Sequence, residues 1–138
     1  MDRRLIYYIC DDLDIDVPKI KEVDSLPGTM LAAYHPNTNE LQVIKRYETF
    51  YDFVFVLAHE LRHKYQIDNG WDFSNYTQRD KTDLITYNLQ VQELDANAYG
   101  FIFMVNEFGV KPLFKGMDEQ IKNAIMERVE YLIKTEYE

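Results

Sequence analysis

The segment His59-Glu60-Leu61-Arg62-His63 carries the residues of this chain best suited to chemistry. On an α-helix, at about 100° per residue, two histidines four positions apart lie about 40° apart and one turn along, so both imidazoles can reach one ion. Glu60 falls about 60° from His63 on the same side, close enough to act on a water near that ion yet turned off the coordination axis. This H-E-x-x-H pattern predicts Zn²⁺ held by His59 and His63, with Glu60 as catalytic general base.

Two imidazoles do not complete a catalytic zinc site, which takes three protein ligands and keeps one position open for water. The stretch Gln92–Gly100 offers Glu93 and Asp95, about 200° apart on a helix and so unable to face the same ion. Glu93 has Thr86, Leu89, Asn97, Gly100 and Met104 around it, a mostly small or apolar sector. Asp95 falls among Asn88, Gln92, Tyr99 and Asn106, the most polar sector, where exposure is expected. A buried carboxylate needs a cation and an exposed one needs nothing, so Glu93 is the expected third ligand. Asn97, one turn on, is placed to hydrogen-bond a ligand histidine. A structural zinc site would close its fourth position with another Cys or His, and none is evident. The rival reading is a zinc-binding regulatory or interaction module without turnover.

These residues need elements to hold them. An opening helix is expected from Asp2 to about Leu13, with Leu5, Ile6 and Ile9 inward and Pro18 closing the stretch. Ile20 and Val23 flank a short strand. Met30–His35 and Leu41–Tyr47, around Pro36-Asn-Thr-Asn39, read as a β-hairpin. Thr49 and Asp52 form a capping pair that opens the H-E-x-x-H helix. Phe50, Phe53, Val54, Leu57, Leu61 and Tyr65 recur along it, and Asp68-Asn69-Gly70 stops it. A second long helix is expected from Thr82 to Gly109, and a last one from about Asp118 to Lys134 carries Ile121, Ile125, Val129 and Leu132. The order predicts one α+β domain over 1–138, a small antiparallel or mixed sheet packed on helices. Trp71–Lys81 lacks a period and is long for a compact domain, the kind of loop that forms lids or binding segments. Tyr65, Tyr76, Tyr99 and His35 are oxyanion-stabilising candidates by residue type alone. His35, beside Pro36, reads as an exposed turn histidine.

The bulk composition narrows the partners. A net charge of −9 over 138 residues argues against nucleic acid or an anionic membrane. The lone Cys10 gives neither a disulfide nor a thiolate metal site and suits a reducing compartment. The apolar stretch at the N-terminus is too short for a signal peptide, so a cytoplasmic location is expected. The eleven tyrosines and eight phenylalanines are sufficient to fill a core.

Ala58-His-Glu-Leu-Arg-His63 followed by Glu93-Leu-Asp-Ala-Asn-Ala-Tyr99 resembles the gluzincin peptidases of the ImmA/IrrE type, and the chain is similar in size to the stand-alone minigluzincins. The resemblance implies a zincin-like fold, with Glu93 matching the third zinc ligand, Asp95 the second acidic position and Tyr99 the aromatic. Arg62 stands where that family usually has Gly. The implied activity is hydrolysis of an intracellular protein or peptide, with a transcriptional repressor as the substrate class.

Overall fold

The computed structural model describes residues 3–136. The chain divides between Trp71 and Asp72 into two compact units.

The first unit opens with α1 (Arg4–Leu13), whose Ile6, Ile9, Cys10 and Leu13 recur every three or four residues and are buried. Leu5 is only half-buried. The expected first residue, Asp2, lies outside the described residues. α1 ends five residues before Pro18, because Asp14 adopts a left-handed conformation (φ 54°) and the Ile15 N–H closes onto the Cys10 carbonyl.

Three strands follow, β1 (Lys19–Val23), β2 (Ala32–His35) and β3 (Glu40–Ile44). They form a mixed sheet in the order β1-β3-β2, with β3 parallel to β1 and antiparallel to β2. The hairpin expected around Pro36–Asn39 is therefore present, with His35 opposite Glu40. Leu41 and Val43 alternate onto one buried face.

α2 (Phe50–Asp68) packs against α1 and β2. Thr49 sits at its N-cap but its side chain makes no capping bond, so the expected Thr49/Asp52 pair marks the helix start without closing it. Phe53, Val54, Leu57 and Leu61 are buried as the apolar stripe predicts, while Phe50 is exposed. Burial also extends to Arg62, Lys64 and Gln66, beyond any apolar stripe. Lys64 pairs with Asp68 one turn on, and the Arg62 guanidinium lies 4.1 Å from the Tyr65 ring centroid.

In the second unit a single 3-10 turn (Arg79–Lys81) leads to α3 (Leu84–Asn88), α4 (Val91–Phe108) and α5 (Glu119–Glu136). The single helix expected from Thr82 to Gly109 is thus broken, and Gln90 shows why. Its backbone is extended (ψ 140°), and its side-chain amide clasps Thr77, accepting from the backbone N–H at 2.7 Å and donating to the carbonyl at 3.0 Å. The break leaves α3 with its own cap, an Asp83 carboxylate accepting the Thr86 N–H. α4 does stop at Gly109, whose φ of 63° suits a residue without Cβ. Ile121, Ile125, Val129 and Leu132 of α5 are the four residues the pattern assigned to its inner face, and they cluster with Ala98, Phe101 and Ile102 of α4.

Asp95 departs from expectation. It is 0% exposed, and its Oδ1 accepts from both Nε and Nη2 of Arg128 on α5, at 3.1 and 3.0 Å. The Asp95 position is polar because it meets the half-buried Arg128 guanidinium, not water. No helix among the described residues is long and apolar enough to cross a membrane.

Removing the guanidinium should leave a buried carboxylate without its counter-charge. Arg128→Met is expected to destabilise the protein by about 3 kcal/mol, the low end for a broken buried pair because the Arg128 side chain is 20% exposed. Urea denaturation of the variant against wild type measures it; a change within 0.5 kcal/mol, the scatter of ordinary surface substitutions, contradicts the assignment.

Candidate metal centre

α2 places its two histidines as the helical spacing requires. His59 Nε2 and His63 Nε2 lie 3.2 Å apart, with the two rings nearly perpendicular at 82°. Two nitrogens each about 2.0–2.1 Å from a tetrahedral ion are about 3.3 Å apart, so the pair already has the bite of a zinc site. Glu60 completes a group whose ligand atoms all fall within 4.8 Å of one another. Its Oε2 is 3.8 Å from His59 Nε2. Two imidazoles and a carboxylate form a donor set able to hold a divalent transition metal ion.

The sheet positions the carboxylate. β2 is an edge strand, and the Tyr34 backbone N–H donates to Glu60 Oε1 at 2.9 Å. One oxygen of Glu60 is thereby fixed to the strand and the other is left on the side of the histidines. The same contact bears on peptide binding along this strand. Ala32 is buried and the Tyr34 N–H already has its acceptor, so pairing with an extended peptide there requires Glu60 to let go of Tyr34.

The ring of His63 is held from behind by Gln66, whose Oε1 lies 3.0 Å from His63 Nδ1. The helical spacing that points to Asn97 for such a role does not single out Gln66. The available signal was its position, three residues after His63 and so on a neighbouring part of the same helix face. Tyr34 could not have been found from residue type, because its backbone does the work.

Glu93 belongs to the second unit. It lies in the first turn of α4, 1% exposed, and its Oε2 accepts the Tyr76 hydroxyl at 2.7 Å. Tyr76, considered earlier for an oxyanion, is therefore engaged with a carboxylate, and its hydroxyl also lies 3.2 Å from that of Tyr87. The stretch that carries Tyr76 is tied to the start of α4 at three successive points. Gln92 donates to the Asp72 carbonyl, Gln90 clasps Thr77, and Glu93 takes Tyr76. The loop expected as a lid or binding segment is strapped to a helix along this length. Tyr99 is buried and His35 is exposed at its turn. Burial pushes the Cys10 thiol up to about 11 against the opposing pull of Lys64, which keeps it a thiol at neutral pH.

Comparison with protein-family models, with curated proteins and with solved structures yields no match to this chain. The residues themselves carry the functional argument.

Burial, and after it the charge of Glu93, hold the Tyr76 phenol far above its ordinary value of 10.0. A folded state that keeps a proton the unfolded chain releases near pH 10 loses stability as pH rises past that point and is unaffected below it. Tyr76→Phe should therefore lessen the alkaline loss of stability. It should also leave the phenolate absorbance gained up to about pH 11 unchanged, since Tyr76 contributes none of it. A drop of one tyrosine in that amplitude contradicts the buried Tyr76–Glu93 contact.

Proposed function

We propose that this chain is a zinc-dependent peptidase acting on a protein or peptide substrate, with His59 and His63 as metal ligands and Glu60 as general base. The observation that carries the reading is the 3.2 Å approach of the two Nε2 atoms beside a carboxylate fixed by the sheet edge. A structural histidine pair has no need of a carboxylate held on a second element with one oxygen turned towards the rings.

Glu93 is the proposed third ligand. Its support is the spacing of the two motifs, its burial, and the removal of its rival: the Asp95 carboxylate is spoken for by Arg128. The Tyr76 hydroxyl takes Oε2 of Glu93 and so fixes which way the carboxylate is turned. Resemblance to the ImmA/IrrE group suggests an intracellular regulatory protein as substrate.

Zinc, when bound, supplies a Lewis acid that acidifies water and polarises a peptide carbonyl. Glu60 takes the proton of the attacking water on the oxygen that Tyr34 leaves available, then delivers it to the departing amine. His59 and His63 serve as neutral ligands, each presenting Nε2.

Glu60→Gln preserves shape and removes the base. Its hydrolysis of an unfolded casein substrate should fall by about 10²–10⁴-fold while zinc content, read by elemental analysis, stays at the wild-type level. His63→Ala should lose both. Wild-type protein prepared in zinc-containing medium that holds no metal, or a Glu60→Gln variant of undiminished activity, refutes the proposal.

A further inference from the structure

Gln66 is fully buried, on the same helix as both histidines, and its carbonyl oxygen faces His63 Nδ1 at 3.0 Å. An amide oxygen only accepts, so His63 must carry its proton on Nδ1. A neutral imidazole has one such proton, and His63 Nε2 is then a bare lone pair. That lone pair points at His59 Nε2, 3.2 Å away.

A zinc ion held by both rings needs both Nε2 atoms bare, and His63 meets that demand with its proton on Nδ1.

We infer that Gln66 is a positioning residue that fixes the tautomer and ring direction of His63, making it a preset ligand. The inference rests on the zinc reading above only for its metal-bound half. Gln suits the role because it is neutral. A carboxylate at this buried position would hold the same Nδ1–H but bring a charge out of water, and it would raise the basicity of the ring.

Long-range ¹H–¹⁵N correlation spectra of the histidine rings, recorded on the full chain before and after adding zinc, test this directly. Wild type should show His63 as the Nδ1–H tautomer in both conditions. Gln66→Leu, which removes the acceptor, should show a mixture of tautomers at His63 and bind zinc about 10–100-fold more weakly. Gln66→Glu, which keeps an acceptor, should restore the tautomer and bind zinc at least as tightly as wild type. A wild-type His63 protonated at Nε2 overturns the inference, whether or not the Leu variant folds. So does a folded Gln66→Leu protein with unchanged tautomer and zinc affinity. A protein that takes up no zinc yet shows Gln66-dependent Nδ1–H at His63 overturns the peptidase reading and supports the positioning role.

Discussion

Two imidazole nitrogens 3.2 Å apart repel each other unless a proton or a cation lies between them. A chain that brings them so close must hold each ring against that repulsion, and the first unit does so from several directions. α2 supplies the one-turn spacing. Its Phe53, Val54, Leu57 and Leu61 fix it by burial, because an isolated helix of this kind draws most of its stability from the face it packs. Gln66 grips one ring, and the edge of the sheet grips Glu60. The geometry depends on the helix remaining continuous through His63, and this explains why burial runs on past the motif to Lys64 and Gln66.

That continuation has an energetic cost. Buried polar side chains stabilise less than apolar ones of the same shape would, and a lysine buried without a partner is costly. Lys64 avoids this by pairing with Asp68 on the next turn. In the second unit Arg128 and Asp95 solve the same problem between two helices rather than along one, which joins α5 to the buried side of α4. Among the described residues no buried side-chain nitrogen or oxygen lacks a hydrogen-bond partner. The polar groups inside both units are built in rather than tolerated.

The sequence disclosed the features that depend on local period. α5 buries the four residues its spacing nominates, and the hairpin, the β1 strand and the reach of α2 follow from alternation and turn chemistry. The H-E-x-x-H cluster was legible because its geometry is helical geometry. What escaped depends on partners distant in sequence. The break between α3 and α4 is driven by a side chain bonding a backbone thirteen residues away, and no window of helical propensity contains that information. Asp95 was misjudged because a polar helix face normally means water, and its true partner stands thirty-three residues downstream. The role of Tyr34 is carried by its backbone N–H, which every residue but proline possesses.

The correction at Asp95 sharpens the choice between the two acids of α4. Exposure was expected to separate them, yet both are buried, so burial cannot decide. The chemistry of the partner can. A guanidinium donating twice to Asp95 meets its hydrogen-bonding need and its charge together. The Tyr76 phenol gives Glu93 a 2.7 Å hydrogen bond that turns its Oε2. A guanidinium answers the charge of the acid it holds, whereas a hydroxyl hydrogen bond is the kind of support that orients a metal ligand. Glu93 therefore stands as the proposed third ligand on the ground of what holds Asp95 rather than on exposure.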